Sequence, residues 1–204
     1  MSSSFSESLP VNKLLAAISE HKFIQSINSG QISTEQFNTW LTQDYLSVIS
    51  YVRFIAHVLA NAPQQDYKVL INSLSALAEE LAWFESQLKA RGDLINKSQL
   101  LPANLAYQQW LAELIKTETS YLALITLYYS LELYYHQAWK SVKNHDYHEF
   151  VSRWGCDAFG QFVEQLKAAV DSASSTASEE DKKKARQLCG EIAQYEILAF
   201  AIWQ

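Results

Sequence analysis

Apolar residues recur every three or four positions along most of the chain, which is the spacing of one face of an α-helix. Short polar or glycine-containing segments separate the periodic stretches. The pattern predicts six helical stretches, the fourth being one long helix or two: about 10–28, 34–60, 64–91, 103–143, 147–169 and 179–203. A serine- and alanine-rich loop is expected over 171–178. No internal repeat or linker is visible, so we expect an all-α helical bundle that forms a single domain over residues 1–204.

Residues typical of helix ends support these boundaries. Ser33 and Gln36 have the spacing of a capping box, in which each side chain accepts the other residue's backbone N–H. Gly30 and Gly92 follow periodic stretches, where glycine commonly ends a helix. Ser178 precedes the last stretch as an N-cap residue. Local residue chemistry therefore predicts the same helices as the periodicity.

The composition fits a helical globular protein and argues against a nucleic-acid partner. Hydrophobic residues make up 49% of the 204 residues, and five glycines and three prolines provide little turn chemistry for a β-rich fold. The formal net charge of −6 offers no basic surface for phosphate groups. The single lysine run, Lys182–Lys184, follows three acids, as in the solvated start of a helix.

Signals for membranes and export are not visible in the sequence. No apolar run reaches the roughly 18 residues of a membrane span. The polar start MSSSFSES lacks the basic and apolar regions of a signal peptide. We therefore expect a cytoplasmic protein with no membrane partner, in which Cys156 and Cys189 are free thiols.

Three carboxylates lie inside otherwise apolar, aromatic stripes: Asp44, Glu132 and Glu196. An unpaired charge on a core face is costly unless the group changes its pKa and neutralises. Three such placements on three helices predict a polar pocket inside the bundle. Tyrosine rings beside the acids would enclose a flat ring whose N–H groups the acids bind. Glu80 borders the stripe of its own helix and is a further candidate for binding the substrate.

A carboxylate cluster in a helical bundle first suggests a di-iron or di-manganese site, which uses two Glu-x-x-His motifs. None of the five histidines has an acid three positions before it. The remaining pairs are Glu132 with His136, one helical turn apart, and His145 with His148. Because the usual ligand spacing is missing, we expect no metal and no other cofactor.

Motifs for nucleophiles and nucleotides are also missing. The chain has no Gly-x-Ser-x-Gly, no glycine-rich phosphate loop and no dinucleotide fingerprint. Cys156 has an unusual neighbourhood, but a lone cysteine in a helical protein is more often a small buried hydrophobe. The residues alone thus predict an all-α protein with a carboxylate-lined aromatic pocket.

Five segments in matching order resemble the TenA/thiaminase II family, over nearly the whole chain from about His21 to Trp203. The segments are Trp40–Leu46, Glu79–Phe84, Ser130–Tyr135, Arg153–Gly155 and Tyr195–Phe200. Each segment is weakly specific by itself, whereas the ordered set is specific. The resemblance implies the all-α haem-oxygenase-like fold without haem, and a role in the salvage of the thiamin pyrimidine.

The resemblance also implies roles for particular residues. Asp44 matches the residue that binds the aminopyrimidine, and Glu196 matches a carboxylate that acts in proton transfer. Tyr135 matches an aromatic residue that packs on the ring. Tyr107 and Trp154 match two further pocket positions, the second of which is tyrosine in many members.

Leu131 stands where cysteine-type members of the family carry their nucleophile, immediately before the position of Glu132. The pattern instead resembles the glutamate-type branch, in which Glu132 and an Arg-Trp-Gly segment replace the cysteine-type pattern. Members of that branch are implicated in hydrolysing N-formyl-aminomethylpyrimidine and aminomethylpyrimidine. The resemblance therefore implies a metal-independent aminopyrimidine hydrolase in which Glu132 and Glu196 share the acid and base work.

Two other functions stay open from the sequence. A non-catalytic protein that binds a pyrimidine fits the missing cysteine and the substituted tyrosine, and a metal-dependent oxidase fits the same fold. Turnover of formylaminopyrimidine separates the hydrolase from the first, and elemental analysis separates it from the second. The resemblance further implies a homo-oligomer, either a dimer or a tetramer.

Overall fold

Helices make up most of the described structure. The computed structural model describes residues 4–12, 15, 21–92 and 100–201, with the side chains of the last helix described as far as Tyr195. No β-strand occurs over these residues, which confirms the expected all-α class. The helices are α1 Lys22–Ser29, α2 Thr34–Ala60, α3 Tyr67–Ala90, α4 Pro102–Thr117, α5 Tyr121–Lys140, α6 His148–Trp154, α7 Asp157–Ser174 and α8 Glu179–Ala201, with short 3₁₀ turns at Ser6–Ser8, Gln64–Asp66 and His145–Tyr147.

Several helix ends form from local residues as predicted. The Ser33 hydroxyl accepts the Gln36 N–H and the Gln36 side chain accepts the Ser33 N–H, so both halves of the capping box are present. Gly30 ends α1 in the left-handed conformation, with a φ of 69°, which glycine adopts without a steric penalty. The Ser178 hydroxyl accepts the Asp181 N–H at the start of α8. These predicted boundaries are confirmed.

The long periodic region over 103–143 is two helices, which confirms the second of the two alternatives. Helix α4 ends at Thr117 and α5 begins at Tyr121. Glu118 between them has extended backbone angles, with φ −103° and ψ 127°. Ser120, just before α5, is extended as well, with φ −66° and ψ 112°. This short non-helical segment separates two apolar stripes that have the same period.

Two predicted helices are wrong in their extent. The helix expected over 10–28 is not continuous, because His21 is extended and caps α1 by accepting the Phe23 N–H through Nδ1. Residues 13–14 and 16–20 of that prediction lie outside the described residues. The helix expected over 147–169 is divided into α6 and α7, since the backbone leaves the helical conformation at Gly155 and Cys156.

The loop expected over 171–178 is also wrong in its extent, because α7 continues to Ser174. Val170 and Ser174 are buried on this last turn, so packing supports a helix where the serines suggested a loop. Asp171 adds a long-range contact, since its carboxylate accepts both the N–H and the hydroxyl of Ser6 at 2.8 Å. Tertiary contacts therefore lengthen the helix.

The chain divides into two compact units. The first unit holds the described residues of 1–32 and 119–197, and the second holds those of 33–118 and 198–204. In the first unit α5 packs mainly against α7 and α6. In the second unit α2 packs against α3 and α4.

Helix α5 is the central helix of the first unit, and it is apolar on nearly all sides. Residues 122–132 of this helix are all buried, which is the pattern of a helix surrounded by other elements. The second unit has its own apolar core, which includes Trp40, Leu41, Phe54, Phe84 and Leu111. Within the described residues, no helix is both long enough and apolar enough to span a membrane.

Candidate functional site

Glu132 is a carboxylate on the buried helix of the first unit. Its exposure is 8%, and it is among the few charged or polar side chains in the core. Tyr135 follows one turn later on the same helix and is half-buried. Side chains three residues apart lie on the same helix face. The helix therefore presents a buried acid and a partly exposed aromatic ring side by side.

Trp154 at the end of α6 forms an aromatic wall with residues of α5. Its ring contacts Tyr135 edge to face, with ring centroids 5.2 Å apart and an interplanar angle of 71°. On its other sides it packs against Trp139 at 5.1 Å and Phe150 at 5.8 Å. Trp154 is 1% exposed, so the wall is held rigidly against the core. The sequence-based prediction placed Tyr135 and Trp154 in one site, and the structure brings their rings into contact.

His136 holds the main chain of the same wall. Its Nδ1 lies 2.8 Å from the carbonyl oxygen of Trp154, and since a carbonyl only accepts, Nδ1 carries the proton. The ring stacks on Phe159, with centroids 5.7 Å apart and an angle of 19°. A Cβ at Gly160 would lie 3.0 Å from Nε2, so glycine leaves room for the ring. The sequence suggested His136 only as a possible metal ligand, and its role in the fold is this contact.

Gly155 explains the break between α6 and α7. A Cβ at this position would lie 2.9 Å from the backbone nitrogen of Lys140 and 2.9 Å from the carbonyl carbon of Trp139. Backbone atoms cannot move away as a flexible side chain could. The Arg-Trp-Gly segment therefore packs directly against the C-terminal end of α5, and glycine permits this approach.

The other predicted binding residues lie in the second unit. Asp44 on α2 and Glu80 on α3 are half-buried, and Tyr107 on α4 is 6% exposed. Tyr107 stacks on Trp110, with ring centroids 6.3 Å apart and an angle of 26°. Helices α2 and α4 are joined by side-chain hydrogen bonds that include Asn104, which the sequence analysis did not single out. Buried amides in a helix seam have no distinctive sequence signal, because their partners come from another helix.

Each predicted site residue thus has a defined place, with one exception. Glu132, Tyr135 and Trp154 belong to the first unit, whereas Asp44, Glu80 and Tyr107 belong to the second. The side chain of Glu196 lies outside those that the structure describes, although its backbone belongs to α8. The convergence of the three acids on one ligand remains a prediction.

The described side chains include no group of three or more His, Cys, Asp or Glu residues arranged to hold a metal ion. His136 contacts the Trp154 carbonyl as described above. His148 is exposed, and both of its ring nitrogens lie 3.3 Å from the Ser152 hydroxyl. Neither of the two pairs considered from the sequence, Glu132 with His136 and His145 with His148, therefore belongs to such a group among the described residues.

Both cysteines are free thiols, as expected. Cys189 is fully buried, and burial raises the pKa of its thiol above the usual value, while hydrogen bonding with Ser130 and Tyr134 acts in the opposite direction. Cys156 is half-buried, with its Sγ 3.7 Å from the carbonyl oxygen of Arg153. Leu131 occupies the position before Glu132 with an exposure of 8%, so a buried apolar residue and not a thiol precedes the acid in the sequence.

Comparison with known proteins gives consistent results. The model of the TENA/THI-4/PQQC family matches residues 11–200. A relative from Glycine max, described as a probable bifunctional TENA-E protein, is 30% identical over 190 residues, and the match covers 87% of this chain and 82% of the relative. The family resemblance inferred from the five segments is therefore confirmed.

Solved structures share the same fold. A TenA homologue from Pyrococcus furiosus superposes with a TM-score of 0.92 at 26% identity, covering 98% of this chain and all of that one. A protein from Sulfolobus solfataricus described as a putative TenA-like thiaminase superposes with a TM-score of 0.74 at 18% identity, covering 95% of this chain and 91% of that one. At that identity the second likeness shows the fold alone.

Proposed function

This chain belongs to the TENA/THI-4/PQQC family, and we propose that it is a metal-independent hydrolase acting on a C–N bond of a thiamin-derived aminopyrimidine. The observation that carries the proposal is the buried Glu132 one turn before Tyr135, whose ring meets Trp154 edge to face. An acid beside a rigid aromatic wall suits a flat ring that carries N–H groups. The similarity to a relative described as a TENA-E protein supports the same branch of the family.

The proposed substrates are N-formyl-aminomethylpyrimidine and aminomethylpyrimidine. Hydrolysis of the first cleaves its amide C–N bond with water and yields formate and the free amine, aminomethylpyrimidine. Hydrolysis of the second replaces the amine by a hydroxyl group and releases ammonia. Both reactions need a base that takes a proton from water and an acid that gives one to the leaving nitrogen.

Glu132 and Glu196 are the proposed acid and base. Two carboxyl groups that share a site from which water is excluded do not both ionise readily, so one is shifted toward a pKa useful near neutrality. Leu131 provides no thiol at the position where cysteine-type members carry theirs, which favours water as the nucleophile. In this proposal the two acids and water together provide every group that the reaction requires.

Asp44 is proposed to bind the ring itself. The ring nitrogen and the exocyclic amine of an aminopyrimidine present two parallel N–H groups when the ring is protonated, which matches the two oxygens of a carboxylate. Tyr107, Tyr135 and Trp154 would contact the ring faces and edge, and Glu80 is a further binding candidate. Asp44 is half-buried, which strengthens a charge-assisted hydrogen bond relative to one in water.

Turnover measured on chelator-dialysed protein tests this function. We expect formate from the formyl compound or ammonia from the amine, with no Fe, Mn or Zn in the purified protein. Tight binding of the pyrimidine without any product would instead favour a non-catalytic binding protein, which the absence of cysteine at Leu131 also allows. Activity that returns only with stoichiometric metal would favour a metal-dependent enzyme.

The setting of this activity is also a proposal. We propose that residues 1–204 act as one domain, that the protein assembles as a homo-dimer or homo-tetramer, and that it works in the cytoplasm on a small-molecule pyrimidine. Light scattering coupled to size-exclusion chromatography measures the assembly. A monomer at micromolar concentration would contradict that part of the proposal.

A further inference from the structure

The second unit contains a line of hydrogen-bonded polar side chains between α2 and α4, which we call the amide seam. Its members are Gln43, Ser47, Ser50, Asn104 and Gln108. Asn104 of α4 bonds to Gln43 of α2, and Gln108, further along α4, bonds to Ser50, further along α2. The two helices therefore run in the same direction. Further along the same pair, His57 Nε2 lies 2.7 Å from the carbonyl oxygen of Glu118. The seam thus follows the two helices for several turns.

Asn104 is the centre of the seam. Its Nδ2 donates to the Gln43 carbonyl oxygen at 2.7 Å and to Gln43 Oε1 at 3.1 Å. Its Oδ1 accepts from the Ser47 hydroxyl at 2.8 Å and from Gln108 Nε2 at 3.1 Å. A primary amide has two N–H donors and two oxygen lone pairs, so all four are used. At 1% exposure, this fully bonded amide has a single orientation.

Gln43 and Gln108 extend the seam in both directions. Gln43 Oε1 also accepts the Leu101 N–H at 3.1 Å, which satisfies a backbone donor at the start of α4. Gln108 Nε2 donates to the Leu46 carbonyl oxygen at 3.0 Å, and the Ser50 hydroxyl donates to Gln108 Oε1 at 2.7 Å. The seam therefore fixes the register of α4 against α2 at two successive turns.

The seam adjoins two of the proposed binding residues. The Gln43 carbonyl that Asn104 holds belongs to the same peptide group as the Asp44 nitrogen. Tyr107 lies one turn after Asn104 on α4 and immediately before Gln108. The seam therefore links the Asp44 backbone to the helix that carries Tyr107.

We propose that Asn104 is a positioning residue, which holds the Gln43–Asp44 peptide group and so directs the Asp44 carboxylate toward its ligand. This inference rests on the proposed function, because Asp44 is taken there as the residue that binds the pyrimidine. Asn104 contacts the Gln43–Asp44 peptide group and is not one of the proposed ring-binding residues. Its contribution is to binding and not to proton transfer, so its loss raises KM and leaves kcat nearly unchanged.

The variant that isolates this contact is Asn104→Asp. The side chain keeps its shape and its acceptor for Ser47 and Gln108, but an oxygen replaces Nδ2 opposite the two Gln43 oxygens. Asn61→Asp is the control in the same unit, at a half-buried position where the added charge is less costly than at the buried Asn104. Asn61 Nδ2 donates to the His57 carbonyl oxygen at 2.9 Å, so the control removes the same kind of bond and adds the same charge away from Asp44. Ser47→Ala is a milder variant that weakens the seam if Asn104→Asp fails to fold.

The measurements are KM and kcat for aminomethylpyrimidine hydrolysis, its affinity by calorimetry, and crystal structures of the variants. We expect Asn104→Asp to weaken binding about tenfold, as for one misdirected hydrogen bond, with kcat within about twofold of wild type. Ser47→Ala should have a smaller effect in the same direction, and Asn61→Asp should bind as wild type does even if its melting temperature falls. Equal binding by all variants, or equal losses in Asn104→Asp and Asn61→Asp, would overturn the proposal.

The crystal structures keep this test separate from that of the proposed function. If wild-type protein neither binds nor hydrolyses the pyrimidine, the proposed function fails, and the position of Asp44 decides the role of Asn104. A carboxylate displaced in Asn104→Asp, or in Ser47→Ala, but not in Asn61→Asp supports a positioning residue. An Asp44 side chain unmoved in the seam variants refutes it.

Discussion

The imidazole of His136 on α5 donates from Nδ1 to the carbonyl oxygen of Trp154, 2.8 Å away at the end of α6. This bond joins the helix that carries Glu132 to the Arg-Trp-Gly segment, and Trp154 in turn packs edge to face on Tyr135. Both partners are buried, so water cannot replace the bond when it is lost. Besides the ring contacts of Trp154, the aromatic wall is therefore held by a hydrogen bond from one nitrogen of His136.

The stability of His136 variants should depend on where a donor remains. Asn Nδ2 occupies nearly the place of His Nδ1, whereas Gln Nε2 mimics the other ring nitrogen. Both variants lose the stacking on Phe159, so the difference between them reports the Trp154 bond. We expect His136→Gln to be less stable than His136→Asn by about 1–3 kcal/mol, measured by urea unfolding. Equal stabilities would show that the bond to the Trp154 carbonyl contributes little.

Gly155→Ala should destabilise the protein, because the added Cβ would lie 2.9 Å from backbone atoms of Trp139 and Lys140. Overpacking of this kind typically costs about 1–3 kcal/mol. Gly190→Ala is the control, since a Cβ there meets nothing within 4 Å and Gly190 lies inside α8. That substitution should stabilise by up to about 1 kcal/mol through helix propensity. Thermal unfolding of both variants gives the comparison, and a stable Gly155→Ala would contradict the close approach.

The raised pKa of Tyr129 should lower the free energy of unfolding at high pH. Burial, followed by the charges of Glu164, Cys189 and Asp171, raises the pKa of Tyr129 to about 12. Tyr129 loses its proton near pH 10 in the unfolded chain and keeps it in the folded protein. Its contribution to the free energy of unfolding is therefore complete below pH 10 and is lost between about pH 10 and 12. The loss is at most about 1.4 kcal/mol per pH unit. Tyr129→Phe should show a shallower decline over that range, and identical slopes would exclude the shift.

Substitution of the proposed acids should separate binding from chemistry. Glu196→Gln keeps the shape of the side chain and one acceptor oxygen but cannot exchange a proton, so kcat should fall by about 10²- to 10⁴-fold with little change in affinity. Asp44→Asn should mainly weaken binding, by about 1.5–3 kcal/mol for a charge-assisted bond. Steady-state kinetics and calorimetry measure the two effects. A Glu196→Gln variant with wild-type kcat would leave Glu132 as the remaining candidate.

Alkylation of the thiols should spare the proposed activity. Cys156 is half-buried and should react first with iodoacetamide, whereas Cys189 is buried with a raised thiol pKa and should react only on unfolding. Turnover of formylaminopyrimidine should remain largely intact at full Cys156 modification, because water is the proposed nucleophile. Activity lost in proportion to Cys156 modification, without unfolding, would make that thiol the nucleophile.

Most of the fold could be predicted from the sequence because its signals are local. The capping box of Ser33 and Gln36 forms between residues three apart, and Gly30 ends α1 through its own backbone freedom. The helical periodicity identified α2 and α3 because each buries one continuous face, whereas α5 was predicted only as part of the periodic region over 103–143. The candidate acids were also found locally, since a charge within an apolar stripe is visible in the sequence whatever surrounds it.

Contacts between distant residues decided what the sequence could not. The break after Trp154 depends on Gly155 meeting the end of α5, and the last turn of α7 is buried in a segment that looks like a loop. The roles of His136 and Asn104 depend on partners 18 and 61 residues away. The sequence by itself determined the helical class and the main helices and indicated the candidate acids, because these follow from short-range periodicity and residue chemistry. Only the tertiary structure decided which backbone groups the side chains of those helices bind. A hydrogen bond between helices depends on their register and not on the composition of either one.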